Sequence, residues 1–439
     1  MSESIVKHSD GSMTVSFTFT PGRSMLESEL NLQTAMNAAA SVATGECLKR
    51  FDTDGSRLIH GESKMTSKGL TPKVYQTPYG EIAIERHVYQ SSKGGATFCP
   101  LESDARLMRT ATPLFAKQTS FKYANSNAET AMKDFGQHGR TIARSYINEV
   151  ALDVASVVEE KNTVWNYTLP IAPAGTKVSK IGIGIDGTCT LMCGDGGWRQ
   201  AMVGTISFYD EKGERISTIY IASAPESGKA GFLAKMDAEI KQVKKRYPDV
   251  IYAGIADGAH DNWIWLGGHC SWEILDFWHV SEYISEVKPL MRRGVNAQAE
   301  WMENACHRLK HETGTAAKLL KEMEEKQREL KGSRRNTEAL DKAVSYLTNH
   351  LKRMNYACYQ AMDLPIGSGV TEAACKSVVK ERMCGSGMKW SQTGMESVLN
   401  LRALTKSEGR WEEFWQKTEQ YGFAKIRIPK RPIKNTNND

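Results

Sequence analysis

The feature that most constrains this chain is the stretch at residues 181–189, Ile-Gly-Ile-Gly-Ile-Asp-Gly-Thr-Cys. Apolar residues at every second position are typical of a β-strand. The alternation ends at Asp186, which Gly187 follows directly. A buried strand that ends in this way places a carboxylate at the edge of a sheet. We therefore expect Asp186 to belong to a site at that edge.

The segments around this stretch predict an α/β fold. Strands at 180–189, 201–209 and 215–222 are separated by tight turns, which indicates an antiparallel meander. A helix at 229–247 precedes a continuous apolar strand at 250–256, of the kind that parallel strands form when both faces are covered. A shorter strand follows at 272–276. This order predicts a mixed five-stranded sheet with the strand and helix sequence of a ribonuclease H-like core.

Two further acids follow elements of this predicted core. Asp257 ends the fourth strand, and Glu372 closes the segment Gly-Ser-Gly-Val-Thr-Glu on a late helix. Together with Asp186 they form a set of hard oxygen ligands that suits Mg²⁺ or Mn²⁺. Two such ions activate the nucleophile and neutralise charge in phosphodiester cleavage. The three acids therefore predict a nuclease-type site that holds two metal ions.

Each of these acids has a simpler interpretation when it is taken alone. A strand-end aspartate before a glycine, as at Asp186 and Asp257, is often only a turn residue. Glu372 lies one helical turn before Lys376, so the two can form an exposed ion pair on the helix surface. The joint arrangement is more specific than any of its parts.

A histidine lies near the end of the fifth strand, in the sequence Asp276-Phe-Trp-His279. His279 is a candidate catalytic residue that positions the scissile DNA or supports a metal ligand. The alternative is that the imidazole caps the core beside Trp278. Both interpretations stay open.

Residues 182–187 also match the dinucleotide-binding pattern G-x-G-x-x-G. In that motif a helix follows the glycines, and its N-terminus holds the phosphates. Here the glycines lie inside the predicted strand, and a further strand follows. The match therefore does not predict a nucleotide site.

Charge and cysteine content narrow the class of partner and compartment. The formal net charge of the 439 residues is +6, which permits contact with polyanions without requiring it. Nine cysteines without a C-x-x-C pair favour a reducing compartment over a disulfide framework or zinc ribbon. No apolar run approaches the roughly 18 residues of a membrane span. These features indicate a cytoplasmic location, and nucleoid association if the source is bacterial.

Basic residues are concentrated beside the third acid and in the tail. The stretch after Glu372 carries four of them, Lys376, Lys380, Arg382 and Lys389, which are candidate phosphate contacts. The tail after Tyr421 adds five more, Lys425, Arg427, Lys430, Arg431 and Lys434.

The N-terminal part predicts a separate DNA-binding region. Two strands flank Pro78-Tyr79-Gly80 and form a hairpin, and helical patterns follow at 102–116, 127–135 and 141–160. The three helices are similar to a helix-turn-helix unit whose last helix presents Arg140, Thr141, Arg144 and Ser145 to DNA. A helical connector with a solvated basic face is an equally good interpretation.

These patterns divide the chain into five regions. Residues 1–65 have no legible role. Residues 66–175 hold the hairpin and the predicted DNA-binding helices and end in a Pro- and Gly-containing linker. The catalytic core comprises 176–280 and 362–405, with a helical insertion at 281–361. Residues 406–439 form a C-terminal helix and basic tail.

Over residues 70–405 the chain resembles the ISKra-type insertion-sequence transposases of bacteria. The resemblance rests on the motifs around Asp186 and Asp257, the Gly-Ser-Gly-Val-Thr-Glu segment at 367–372, and the Ser-Gly-Met-Lys-Trp-Ser segment at 386–391. It implies a DDE transposase whose ribonuclease H-like core is interrupted by a helical insertion before Glu372. It also implies that the three acids are the metal-binding triad.

The same resemblance bears on two other motifs. Asp276 and His279 resemble the acid or cysteine, two residues, and histidine that occur in related transposases with all-helical insertions. The family often has a cysteine-rich knuckle after the hairpin. This chain keeps only Cys99 in the corresponding segment at 91–99, which argues against zinc there.

The resulting hypothesis is an enzyme that binds inverted repeats in double-stranded DNA, cleaves a strand with two Mg²⁺ or Mn²⁺ ions, and joins the 3′ end to target DNA. Action on two ends implies a dimer or larger assembly on DNA. Two alternatives stay open: a structure-selective nuclease of the same superfamily that does not join ends, and a domesticated DNA-binding regulator.

Overall fold

The computed structural model describes residues 4–162, 164–331, 333 and 336–424, and the chain forms two compact units. The first comprises the described residues up to Val164 together with those from Trp411 onward. The second is Trp165–Arg410. The predicted linker at 170–175 lies inside the second unit, close to its start.

The first unit begins with an antiparallel hairpin of β1 (Ser4–Lys7) and β2 (Met13–Ser16), followed by the long helix α1 (Met25–Lys49). The Ser24 side chain accepts the Glu27 N–H and so begins α1 as an N-cap. A three-stranded antiparallel sheet follows, formed by β3 (Leu58–His60), β4 (Ser63–Gln76) and β5 (Glu81–Ser91). The hairpin predicted around Pro78-Tyr79-Gly80 is confirmed as β4 and β5.

Four helices complete the described part of this unit before Val164: α2 (Pro100–Asp104), α3 (Pro113–Asn125), α4 (Ala128–Gln137) and α5 (Arg144–Lys161). The prediction of one helix at 102–116 was wrong. Arg106 and Arg109 have φ angles of 54° and 61°, which a continuing helix does not allow. Pro113 then begins α3 in its first turn, where a missing N–H has no cost.

The second unit contains the five-stranded mixed sheet that the sequence predicts. Its strands are β6 (Lys180–Leu191), β7 (Trp198–Tyr209), β8 (Arg215–Ser223), β9 (Ile251–Ala256) and β10 (Trp272–Leu275). They lie in the order β10-β9-β6-β7-β8. Strands β6, β7 and β8 are antiparallel neighbours, and β9 is parallel to both β6 and β10.

The helices around this sheet follow in chain order. They are α6 (Ala230–Arg246), α7 (His260–Gly267), α8 (Phe277–Met291), α9 (Val295–His311), α10 (Thr315–Leu330), α11 (Glu338–His350), α12 (Tyr356–Ala361), α13 (Gly369–Ala374), α14 (Glu381–Met383) and α15 (Gln392–Lys406). A π-helix, Cys375–Lys380, joins α13 to α14. The last helix, α16 (Arg410–Tyr421), belongs to the first unit from Trp411 onward.

One apolar core runs through the second unit, from the sheet into the helices α8–α12. It includes Ile183 on β6, Phe232 on α6, Leu319 on α10 and Leu340 on α11, all of which are fully buried. The helical region at 281–361 therefore shares its interior with the sheet. Among the described helices of the chain, none is long and apolar enough to cross a bilayer.

Candidate active site

The site is built on one face of β6. Side chains alternate along a strand, so Gly182, Gly184 and Asp186 share a face, and the isoleucines share the other. A Cβ atom added at Gly184 would lie 2.0 Å from Thr371 Oγ1 of α13. The glycine face is therefore covered by the helix that carries Glu372, and a side chain at Gly184 would hold that helix away.

The parallel pairing of β6 with β9 brings the first two acids level with each other. The register pairs Lys180 with Ile251, an offset of 251 − 180 = 71 residues, and it runs without a shift to Gly184 and Ile255. Asp186 and Asp257 have the same offset, 257 − 186 = 71. Continuation of the ladder by two residues therefore places the two aspartates side by side, where β9 has ended and β6 goes on.

Glu372 reaches this edge because α13 is fastened to the sheet. The hydroxyls of Thr371 and Thr205, which lies on β7, are hydrogen bonded at 2.7 Å in a buried position. Glu372 is the next residue and is exposed. Its Oε1 accepts the Ser368 hydroxyl at 2.7 Å, which holds the carboxylate against the first turn of its own helix.

Asp276 fixes where α13 begins. It is fully buried, and its Oδ1 accepts the backbone N–H groups of Trp278 and His279 at 2.6 and 2.9 Å as the N-cap of α8. Its Oδ2 accepts the Ser368 N–H at 2.5 Å, directly before α13. The acid of the Asp-x-x-His motif is therefore a positioning residue that ties α8 to the helix of Glu372.

His279 is not brought to the three acids by any contact among the described residues. It lies in the first turn of α8, where its Nδ1 is 3.1 Å from Glu282 Oε2 in an exposed pair. The predicted catalytic role of His279 stays a prediction. Its backbone N–H, by contrast, is part of the buried N-cap that Asp276 forms.

The charges of the three carboxylates act on one another. Burial is the main cause of a raised pKa at Asp186, and the charges of Asp257 and Glu372 raise that pKa further. Hydrogen bonds from the Gly187 N–H and the Cys375 thiol, at 2.6 and 3.4 Å from the carboxylate, act in the opposite direction. A cation placed among these acids would relieve the repulsion and stabilise the ionised form of Asp186.

The loop that carries Asp257 is held by α11. The Tyr346 hydroxyl donates to the Asp257 backbone oxygen at 2.7 Å. The next residue, Gly258, has a φ of +111°, and a Cβ there would lie about 3 Å from Tyr346 and His350. This crowding, in a backbone conformation that favours glycine, explains why Asp257 is followed by Gly258.

The three carboxylates are ligands of the kind that hard divalent cations prefer, but they are not all placed around one ion. Within residues 4–162, 164–331, 333 and 336–424, no group of three or more His, Cys, Asp or Glu side chains is placed to hold one ion. Mg²⁺ is usually held by only one or two carboxylates, with waters and phosphate oxygens completing its shell. Three acids divided between two ions therefore fit the chemistry.

Three of the predicted basic residues beside Glu372 are exposed, namely Lys376, Lys380 and Lys389. The segment that contains Lys389 pairs with the end of β6, where the Trp390 oxygen accepts the Cys193 N–H at 2.8 Å. The prediction that Arg382 contacts phosphate needs correction. Only 5% of Arg382 is exposed, and its guanidinium stacks on the Trp390 ring at 5.0 Å. This packing leaves Arg382 little surface to offer to a phosphate.

One predicted DNA contact of the first unit, Arg140, also needs correction. Arg140 is buried, and its guanidinium donates to Thr77 O at 3.2 Å and to Gln76 Oε1 at 2.7 Å. Helix α5 buries much of its length in the core, and its first turn, with Arg144 and Ser145, faces solvent. The DNA-binding role predicted for Arg144 stays a prediction. The basic tail lies outside the described residues.

Sequence reasoning missed a buried arginine. Arg402 on α15 donates to Val378 O at 2.6 Å and to Ser377 O, two carbonyls of the π-helix. Burial lowers the pKa of Arg402 to about 10. π-Helices are rare and often occur at functional sites. The pattern of charges contains no signal for this arrangement, because the widened turn is not visible in the sequence.

Cys99 lies in a small core cluster of the first unit with Tyr75 and Leu101. Burial raises the pKa of its thiol, which disfavours the thiolate that zinc would require. The interpretation that this segment holds no zinc stays a prediction.

No protein-family model matches this chain, and no curated protein matches it either.

Proposed function

We propose that this chain is a DNA transposase that performs metal-dependent strand cleavage and strand transfer. One observation carries the proposal. Asp186 and Asp257 each lie two residues beyond the last pair of a parallel ladder, and Glu372 lies on the helix packed against the same face of β6. The charges of Asp257 and Glu372 raise the pKa of Asp186, so the three carboxylates are close enough to act on one another. In this proposal they form a site for cations and for the phosphate that the cations bind.

The fold proposed for this unit is ribonuclease H-like. Counted in chain order, the strands of the sheet follow the sequence 3-2-1-4-5, with the second strand antiparallel to the rest. The helices α8–α12 lie between the fifth strand and α13, at the place of the proposed insertion. Both features support the family resemblance of the motifs.

The roles of the chain's own residues follow from their places. Two divalent ions, when bound, would activate a water or a 3′-hydroxyl and neutralise charge on the scissile phosphate. Asp186 and Asp257 would hold one ion between them, and Glu372 would complete the site of the second. Asp276, Ser368 and Thr371 keep α13 in place, and Tyr346 keeps the Asp257 loop in place.

The exposed lysines next to the acids provide the proposed contact with the DNA backbone. Lys376 and Lys380 lie on the π-helix that continues α13, and Lys389 lies in the segment beside the end of β6. Binding to phosphates through these residues releases counterions and makes affinity fall with salt. The two ends of an element would bring two or more copies of the chain together on DNA.

The test of the function is a cleavage assay. Purified protein is incubated with Mg²⁺ or Mn²⁺ and a supercoiled plasmid that carries the DNA flanking the gene, with Asp186→Asn and Asp257→Asn in parallel. We expect metal-dependent nicks confined to the inverted repeats, together with strand-transfer products. Loss of one ligand should reduce cleavage roughly 1,000-fold, the upper range for removal of a group that stabilises transition-state charge. Binding to the ends should remain.

A matched control is Asp261→Asn, which changes an exposed aspartate on α7. It should cleave like the natural protein. Nicks placed without regard to the ends, without joined products, would favour the structure-selective nuclease. End binding without any nick would favour the regulator.

A second test concerns the lysines. Replacing Lys376 and Lys380 by Gln should reduce the salt dependence of end binding by about one unit of slope for each phosphate that is no longer neutralised. The change is measured as log affinity against log salt concentration. Lys342→Gln is the control, because Lys342 is exposed on α11 and pairs with Glu338. An unchanged slope in the double variant would remove these lysines from the interface.

A further inference from the structure

Asp186 has a neighbour that plays no part in the proposed chemistry, the thiol of Cys375. The Cys375 thiol donates to Asp186 Oδ2 at 3.4 Å, while the Gly187 N–H donates to Oδ1 at 2.6 Å. Each donor therefore holds one of the two carboxylate oxygens of Asp186. The plane of the Asp186 carboxylate is therefore set by a residue on another element, 375 − 186 = 189 positions along the chain.

The place of this thiol is set by packing. Cys375 is 5% exposed and is the first residue of the π-helix, which contacts β6 and β7 directly. Arg402 holds the carbonyls of Ser377 and Val378 two and three residues further on. A buried thiol at the start of a fastened helix has little freedom to turn away from the carboxylate.

The helical segment that contains Cys375 also carries Glu372, because the π-helix continues α13 directly. Glu372 and Cys375 are three residues apart, so they are neighbours on the helix surface. Glu372 supplies a carboxylate from this helix, and Cys375 orients the carboxylate on the adjacent strand. A shift of the helix would therefore disturb both at once.

We propose that Cys375 is a positioning residue of the metal site, whose thiol orients Asp186 for a divalent ion. The inference rests on the metal site of the proposed function. Partners that hydrogen bond to a ligating carboxylate fix its direction, and their loss typically lowers metal affinity 10- to 100-fold. Because a thiol is a weak donor, we expect a loss at the lower end of that range.

The experiment measures Mn²⁺ binding to the full-length chain without DNA, by electron paramagnetic resonance of free Mn²⁺. Cys375→Ala, which removes the donor, should raise the Mn²⁺ dissociation constant roughly tenfold. Cys375→Ser keeps a donor at the same place and should restore most of the affinity. Cys306→Ala is the matched control, a partly buried thiol on α9 that should bind like the natural protein. The thermal transition of each metal-free variant shows that it is folded.

Three results would overturn the inference alone. The first is a Mn²⁺ affinity in Cys375→Ala equal to that of the natural protein, while Asp186→Asn still abolishes Mn²⁺ binding. The second is an equal loss of Mn²⁺ affinity in Cys375→Ala and Cys375→Ser, because the hydrogen bond is then not the cause of the loss. The third is a sulfur-to-cadmium charge-transfer band in the natural protein that Cys375→Ser removes, because the thiol would then bind metal itself. Absence of any Asp186-dependent Mn²⁺ binding would instead overturn the proposed function.

Discussion

The two faces of β6 are built in opposite ways. On one face, Ile181, Ile183 and Ile185 enter the apolar core. Helices α6 and α7 cover that face, as shown by their contacts at Gly204 and Gly254, the partners of Ile185 and Ile183 on the neighbouring strands. On the other face, two glycines leave the backbone bare, and α13 lies directly against it.

The difference separates stability from function within one strand. Each buried isoleucine contributes about 1.5–3 kcal/mol by leaving water. The glycines lack this contribution, but without a side chain at Gly184 the helix that carries Thr371 and Glu372 can pack against the sheet. The charge of Glu372 then acts on Asp186. Changes on the two faces should therefore have different consequences, and the following predictions test that separation.

Among changes on the two faces of β6, the largest effect is expected for Gly184→Ala. Its Cβ would lie 2.0 Å from Thr371 Oγ1 and 3.2 Å from Thr371 Cβ, so α13 must move away from the sheet. Cleavage should fall at least 100-fold, as misplacement of reacting groups by about 1 Å does. The measurements are the plasmid assay and Mn²⁺ affinity.

The control for this prediction is Gly204→Ala, on β7 and on the isoleucine face. There the added Cβ meets Met236 Sδ, the flexible end of a side chain on α6. The unfolding free energy should fall, but cleavage by the folded protein should be retained. Equal loss of cleavage in both variants would break the comparison between the two faces.

The second prediction concerns Ile183→Ala on the apolar face. Ile183 is fully buried, so its truncation leaves a cavity and should cost about 2–5 kcal/mol of unfolding free energy. The metal affinity of the folded protein should not change, because the side chain points away from the acids. Urea denaturation and Mn²⁺ titration measure the two effects separately.

The third prediction is a dependence on pH. Because burial and the charges of Asp257 and Glu372 raise the pKa of Asp186, the folded protein loses stability as pH rises from 3.8, the ordinary value, through the raised pKa. Asp186→Asn lacks this loss and should melt at a higher temperature at neutral pH without metal. The difference should vanish at low pH, where Asp186 is protonated.

Thermal denaturation over a pH series checks this sign. Asp261→Asn, an exposed control on α7, should show no such difference. The opposite result is a natural protein with a higher melting temperature than Asp186→Asn at neutral pH without metal. The ionised carboxylate of Asp186 would then stabilise the fold, which contradicts the raised pKa.

The smallest effect is expected for Thr371→Val, which keeps the shape and removes the buried hydrogen bond to Thr205. The unfolding free energy should fall by about 1 kcal/mol. Thr348→Val is the control, because that hydroxyl is exposed on α11. No difference between the two variants would show that packing alone holds α13 against the glycine face.

The strands of the second unit were predictable because their signals are local. Alternation in β6, tight turns before β7 and β8, and the apolar run of β9 predicted bounds close to those observed. The helix at 102–116 failed, because positive φ angles at Arg106 and Arg109 have no signature in residue type, and a proline such as Pro113 can begin a helix as well as interrupt one.

The basic residues were harder to predict because burial decides their role. Arg140 and Arg382 have the same charge as Lys376 and Lys380, yet the arginines are buried, and the lysines face solvent. Arginine has a planar group that can donate to carbonyls and stack on a ring, so it can be accommodated inside. The sequence contains the charge but not the partner.

By itself, the sequence determined the strands of the second unit and the mixed five-stranded sheet, because period-two patterns and turn residues act over a few positions. It also supplied the three acids of the proposed site. Only the tertiary structure decided the 71-residue register that makes Asp186 and Asp257 level, the N-cap role of Asp276, and the approach of Cys375 to Asp186. These depend on contacts between elements far apart in the chain, where packing and hydrogen bonding select one arrangement that no local pattern encodes.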